Sequence, residues 1–533
     1  MNTTSFIAFS FLVLVFSKTI NATSIEQVLA KSLEPYIMAG EPGCAIGYGN
    51  EKEAYFYQKG VLVFGGNETI SAKTPFLTAS ISKQITAHLA LKLAKSKKLS
   101  LKDSIKRHYS TFDGDSKITL EQVMNHTSGI ADHWNIFELQ GRTLSEKYHQ
   151  QDGLALLEQD LLLEFIPGSQ FKYSNGGYLA LSQVIENVSS NTLNQLLNKS
   201  VNTNINTRLW YLDDTKELPR DIAVGHVKGE SGFKAFMGKS RLYGPGNIVV
   251  NSMDFSQWAR YLNQSLVTFP AYIEAQNNSV KYNNYFAGLY IEEDLNGQKF
   301  VQHGGYYENY TQSIVLIPKW QSYAFALCNR ADFRPSKIVY QVLEQLTPLK
   351  TIASPLKLKI KNDVFPETGL YINEQKNDIA MLFNQEGRFY YYGRFVNSPK
   401  PLVSIANNRW KVQLSSGTIE FEKTNKSIFR ISNRQNVETY QRINQIQESE
   451  IDHKPYQFFN NATIGTVGFS FAKTGKINFI NSVGEIPLQC NSKHYCWSEE
   501  GYVTVNMVSS DKIVVSTNDL KNIHFIKGAG VSE

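Results

Sequence analysis

The spacing of apolar residues changes character once along this chain, and that change limits the fold more than any other feature. Up to about residue 350, runs with a four-residue repeat are interleaved with runs that alternate, so helices and strands are mixed. Around Thr347 to Lys361 periodicity is lost and Pro and Lys accumulate, which marks a linker. Beyond it almost no helical spacing remains. Short alternating runs are broken by turns instead, as in Trp410–Leu414 followed by Thr418–Glu422, and Met381–Phe383 followed by Arg388–Tyr392. A polar stretch, Asn444 to Lys454, divides this second part. The reading is an α+β domain over residues 23–350, then two small all-β, barrel-like domains at 355–445 and 455–533. A length of 533 residues, too great for one ordinary core, agrees with it.

Within the first domain a helix is expected over Ser24–Met38 and strands over Cys44–Gly49 and Glu53–Val63. Ile81, Ile85, Leu89 and Leu93 recur every four residues and form one apolar stripe on a helix beginning at Ser80. Thr119 and Gln122 stand at capping-box spacing. Gln312–Pro318 and Tyr323–Asn329 read as strands, and a last helix falls near Ser336–Leu346. Strands at both ends with helices between predict one sheet built from both termini, with a helical insertion.

Phe6–Ser17 is an apolar run of signal-peptide length, too short to cross a bilayer comfortably. Residues 1–22 are therefore expected to be a signal peptide cleaved after Ala22, although Met1–Ser5 carries no Lys or Arg. That implies export to the periplasm or the medium, and no second stretch is apolar enough for a stable membrane span in the mature chain. All four cysteines, Cys44, Cys328, Cys490 and Cys496, lie beyond the signal, and their even number permits disulfides without requiring them. With no CxxC, no HExxH and only scattered histidines, neither a metal nor another cofactor is expected. A net charge of +6, from 54 basic and 48 acidic residues, comes without a basic run, so no nucleic-acid partner is expected.

Ser80-Ile81-Ser82-Lys83 has the form S-x-x-K. Residues three apart on a helix share a face, and a serine hydroxyl needs a base to become a nucleophile. Lysine serves only where burial or a neighbouring cation lowers its pKa. The plainer reading is an exposed helix start with a solvated lysine. Tyr173-Ser174-Asn175 follows a Pro-Gly turn and precedes a helix. A tyrosine there can relay a proton to a leaving group, and the Asn175 amide can bind a substrate carbonyl; a tyrosine packed at a helix entrance is the alternative. His303-Gly304-Gly305 lies before a strand, where glycines admit a substrate backbone and the imidazole supplies a donor. A plain glycine turn is the alternative. Lys473-Thr474-Gly475 reads as a hairpin turn within the C-terminal β region.

Taken in order, these segments resemble the class C β-lactamases, DD-peptidases, D-aminopeptidases and related esterases. Thr78–Asp103 is similar to the family's nucleophile helix, His126–Gly129 to its H-T-S-G turn and Tyr173–Asn175 to its Y-x-N loop. His303–Gly305 is similar to its third motif, K-T-G or H-x-G, and Gly244–Leu262 to the glycine-rich turn and helix before that motif. The resemblance covers nearly all of residues 23–350; the C-terminal region is similar, less specifically, to β modules appended to D-aminopeptidases.

The resemblance implies an antiparallel sheet of five strands or a little more with helices on both faces. It implies acyl transfer to water through a serine ester. Ser80 would be the nucleophile, Lys83 its base and Tyr173 a proton-transfer group. Asn175, His303, Gly304 and Gly305 would bind substrate, and the backbone N–H groups of Ser80 and Tyr306 would form the oxyanion hole. His126 and Ser128 would brace the helical part. It also sets the strands of Cys44 and Cys328 side by side, which allows either a bridge or two buried thiols; Cys490 and Cys496 can pair locally. The expected substrate is a small molecule or peptide, D-aminoacyl or ester-like and in one version peptidoglycan-derived. The alternatives are a β-lactamase or DD-carboxypeptidase and, in a different class, a non-catalytic sensor or scaffold for peptidoglycan fragments.

Overall fold

The computed structural model describes residues 22–350 apart from 115–116, 141, 143–145, 160, 230–231, 271, 275–283, 295, 308 and 333, and beyond them the strands and some turns between 367 and 527. The expected signal peptide, most of the linker, the polar divider and Lys473-Thr474-Gly475 lie outside the described residues.

The first domain is a sheet between two helical layers. Its strands are β1 (Cys44–Gly49), β2 (Ala54–Lys59), β3 (Tyr285–Phe286), β4 (Leu289–Glu293), β5 (Lys299–Tyr307), β6 (Tyr310–Ile317) and β7 (Ser322–Cys328). They form one seven-stranded sheet in the order β2-β1-β7-β6-β5-β4-β3, and every neighbouring pair is antiparallel. The sheet thus joins both ends of the domain, as the strand positions predicted, and is wider than five because β3 and β4 extend it. β1, β6 and β7 are buried along their whole length, as central strands covered on both faces must be.

Alternation along these strands decides which layer each residue meets. Ile46, Val315, Ala324 and Ala326 pack with helices α1 (Ala22–Leu33) and α5 (Pro335–Leu346) at the two ends of the domain. Ala45, Ile314, Leu316, Phe325 and Leu327 face the larger cluster, which holds α2 (Ser82–Lys95), α3 (Asn175–Ser189) and α4 (Ser252–Thr268). The stripe read from Ile81, Ile85, Leu89 and Leu93 lies in this cluster. Thr119 and Gln122 form the expected capping box, each side chain bonding the other's backbone N–H. Cys44 and Cys328 stand opposite each other across β1 and β7 and are joined by a disulfide, so the bridge replaces the pair of buried thiols.

Beyond the linker the described elements are strands, as expected. Residues from Gly369 to Arg442 form a nine-stranded antiparallel sheet around Tyr371, Tyr391, Trp410, Phe421 and Tyr440. Residues from Tyr456 to Lys527 form a closed barrel whose first and last strands meet at Phe459 and Lys527. Cys490 lies opposite Cys496 in the barrel register, and Cys496 is disulfide-bonded.

Candidate active site

The nucleophile candidate sits on a tight entry to α2. Ala79–Ile81 is a 3-10 turn, so the α-helix proper starts at Ser82 rather than Ser80. Ala79 takes a positive φ of 49°, a conformation unfavourable for any residue with a Cβ and found where the fold must aim a side chain. Two buried polar groups hold the turn. The Gln312 amide donates to Leu77 O at 2.6 Å and accepts from Cys328 N at 2.8 Å, tying the turn to the sheet beside the disulfide. Ser82 Oγ meets Thr78 Oγ1 at 2.9 Å and accepts from Ile248 N at 3.1 Å. Ser82 therefore belongs to the scaffold and Ser80 to the cleft.

Lys83 lies in the first turn of α2, three residues after Ser80, fully buried, with three oxygens around Nζ: Ser80 Oγ at 3.2 Å, Asn175 Oδ1 at 2.6 Å and Pro245 O at 2.8 Å. The rings of Tyr173 and Tyr178 lie 4.8 and 5.6 Å from the same nitrogen. Burial lowers the Lys83 pKa to about 7, against the opposing pull of the Asp132 carboxylate. A neutral amine is therefore well populated near neutral pH.

Tyr173 enters just before α3, where the Ser174 side chain caps the helix by accepting from Gly177 N. Its hydroxyl is buried and completes no hydrogen bond. Burial raises the phenol well above its ordinary range, and Ser80 is the side chain that pulls it down. His126 holds this tyrosine from behind, its ring 4.2 Å from the phenol ring and its Nδ1 accepting from Ser174 N at 3.1 Å. In the same turn Ser128 Oγ accepts from Ile130 N, so both residues brace the loop.

The third motif lies on β5, whose register with β4 runs from Lys299 to Gln302, so that His303 is the first residue beyond it. A Cβ on Gly305 would sit 2.6 Å from Thr78 O and 3.1 Å from Ala79 Cβ, so only glycine lets β5 close against the nucleophile turn. This contact brings the strand of Tyr306 against the turn of Ser80, as an oxyanion hole between their backbone N–H groups requires. Gly304 differs: its Cβ position has only Gln312 O nearby, at 3.7 Å.

At two positions the geometry adds partners that the sequence reading did not include. The Asn175 amide is engaged on both sides within the protein. Its Oδ1 holds Lys83, while its Nδ2 and its backbone N both donate to Asp132 Oδ2 at 2.7 Å. The His303 imidazole likewise has a protein partner at each nitrogen. Nδ1 donates to Gly304 O and Nε2 accepts from the Tyr285 hydroxyl, and burial lowers its pKa to about 3, leaving it neutral. Asp132 was missed altogether. Its mark in the sequence is faint: an N-cap aspartate, bonded to Trp134 N at 3.0 Å, three residues after the H-T-S-G turn.

No group of three or more His, Cys, Asp or Glu side chains suited to a metal occurs among the described residues. Among the same residues no helix is long and apolar enough to cross a membrane.

A sheet built from both termini, a helical insertion and the Ser80–Lys83–Tyr173 cluster at their junction define a β-lactamase and penicillin-binding-protein type of fold. The Beta-lactamase family model matches residues 30–346, and the chain belongs to that family. Among curated proteins it is similar to protein flp of Staphylococcus aureus, 22% identical over 303 residues, or 54% of this chain and 59% of that protein. It is also similar to a D-aminopeptidase of Cereibacter sphaeroides, 25% identical over 108 residues, covering 20% of this chain and 21% of the relative. The chain thus spans less than two thirds of either relative's length. Among solved structures, a penicillin-binding protein homologue from Pyrococcus abyssi shares the fold with a TM-score of 0.55 at 20% identity, covering 79% of this chain and 100% of that one. A D-stereospecific amidohydrolase from Streptomyces shares it at 0.51 and 18% identity, covering 59% and 97%.

Proposed function

We propose that this chain is an exported serine hydrolase that acts through an acyl-enzyme on small uncharged amides, esters or peptides, in the manner of D-aminopeptidases and esterases. The observation that carries this reading is the set of three oxygens around Lys83. Asn175 Oδ1 and Pro245 O can only accept, so a neutral amine directs its two N–H bonds to them. The remaining lone pair faces Ser80 Oγ, the one neighbour with a proton to give.

In the reaction the Ser80 proton passes to Lys83 as Oγ bonds to the substrate carbonyl carbon. The oxyanion is received by the backbone N–H groups of Ser80 and Tyr306, a type of contact whose loss typically costs about 100- to 1000-fold in rate. Tyr173, with its buried and unbonded hydroxyl, donates to the departing amine or alkoxide. Water then attacks the ester by the reverse proton path and restores Ser80. The Cys44–Cys328 disulfide supports export, because such bonds persist in oxidising compartments. The D-aminopeptidase and amidohydrolase relatives support the substrate class, and peptidoglycan-derived peptides fall within it. A β-lactamase or DD-carboxypeptidase fits less well, since the neutral His303 and the side-chain-free Gly304 offer little to a substrate carboxylate.

A fluorophosphonate probe should label the protein covalently, with the adduct mapped to Ser80 by peptide mass spectrometry. Ser80→Ala should abolish labelling and hydrolysis of D-aminoacyl amides and short esters while keeping the fold. Labelling that survives in Ser80→Ala would refute the assignment.

A further inference from the structure

We propose that Asp132 is a positioning residue of this site, locking the Asn175 amide so that its carbonyl, and not its NH2, faces Lys83. The inference rests on the reading of Lys83 as the base.

An asparagine amide can turn over at little cost unless its neighbours distinguish oxygen from nitrogen. Here one carboxylate oxygen, Asp132 Oδ2, accepts from both Asn175 Nδ2 and Asn175 N at 2.7 Å. A carboxylate has no proton to give, so the flipped amide would set oxygen against oxygen. The other carboxylate oxygen is fixed by Trp134 N at 3.0 Å, and the whole group is buried. The orientation therefore passes from Asp132 to Asn175 and on to Lys83 Nζ at 2.6 Å. With the amide flipped, an N–H would point at the lysine and occupy the lone pair that must take the Ser80 proton.

The same chain sets a charge near the base without touching it. Asp132 is the one acid, among the described residues, that bears on Lys83. The other groups facing the lysine are the Tyr173 and Tyr178 rings and the imidazoles of His126, His133 and His303, all three held neutral by burial. Removing the Asp132 charge destabilises the ammonium form, so the acid limb of activity should move to lower pH while the misdirected base slows the reaction.

The test is the second-order rate of fluorophosphonate labelling between pH 5 and 9 for wild type, Asp132→Asn, Asp132→Ser and Lys83→Ala. Asn and Ser are both good N-caps, so the helix at His133–Leu139 keeps its start. Both Asp132 variants should label on the order of 10- to 100-fold more slowly at their plateau. Both should also show an acid-limb midpoint below that of wild type. Rates and midpoints equal to wild type in a protein whose Lys83→Ala variant is dead would reduce Asp132 to a helix cap and overturn the inference alone. Failure of both Asp132 variants to fold would make the residue structural and overturn it too. Wild-type labelling by Lys83→Ala would remove the base, and this inference with it.

Discussion

Lys172 and Lys83, both in the first domain, are related to carboxylates in opposite ways. Lys172, next to Tyr173, is ion-paired directly with the buried Glu164 and keeps part of its side chain in solvent. Lys83 is wholly buried and meets Asp132 only through the Asn175 amide. Direct contact with a carboxylate favours a charged ammonium. An interposed amide increases the separation and weakens the attraction, so the cost of burying charge prevails and Lys83 falls to about 7. The difference separates a lysine that braces a loop from one that can give up its proton. It also explains how a base can sit beside an acid without being neutralised by it.

The comparison breaks most visibly at Lys83→Arg. Arginine keeps the charge but cannot lose its proton at working pH, so labelling should fall on the order of 1000-fold or more. An Arg variant close to wild type would mean that Lys83 acts only through its charge. Lys172→Met should do the reverse, leaving the labelling midpoint near that of wild type. It removes the ion pair to the buried Glu164 carboxylate and should lower stability in urea by roughly 1–3 kcal/mol. A shift of the acid limb in Lys172→Met would show that the two lysines are not separate.

The smallest effect is expected at Gly304, which has no side chain and follows the neutral His303. With only Gln312 O at 3.7 Å from its Cβ position, Gly304 has room for the Cβ of a Thr. The new hydroxyl should favour carboxylate-bearing probes over uncharged esters by about 10-fold, the order of one hydrogen bond to a charged group. Efficient nitrocefin hydrolysis by the wild type, unchanged in Gly304→Thr, would contradict this account of substrate choice.

What could be read from sequence was what depends on near neighbours. Thr119 and Gln122 cap one helix at a spacing legible by itself, whereas Ser80 and Lys83, three residues apart, gained their meaning from the Tyr173 and His303 motifs and the resemblance those complete. The two-residue alternation beyond the linker announced strands, but closure of the barrel needs Phe459 to find Lys527, which no local pattern encodes. Strands β3 and β4 are short and went unread one by one, although they are the strands that take the sheet beyond five. Asn175 and His303 were picked as residues, but the partners that hold their side chains were not foreseen. Each has a donor that could point either way, and the choice is made by Asp132, 43 residues away, and by the neighbouring carbonyl of Gly304. The role of Ser82, a buried link to Ile248, depends on a residue 166 positions away and leaves no local mark.

The central claim is that Lys83 loses its proton near neutral pH and then activates Ser80. Burial lowers its pKa, so the active, neutral form is gained as pH rises through the folded value of about 7 and lost below it. The rate of fluorophosphonate labelling of the wild-type protein, measured from pH 5 to 10, should therefore climb to a plateau with a midpoint near 7. A rate independent of pH, or one still climbing at pH 10 as for an ordinary lysine, would contradict the account.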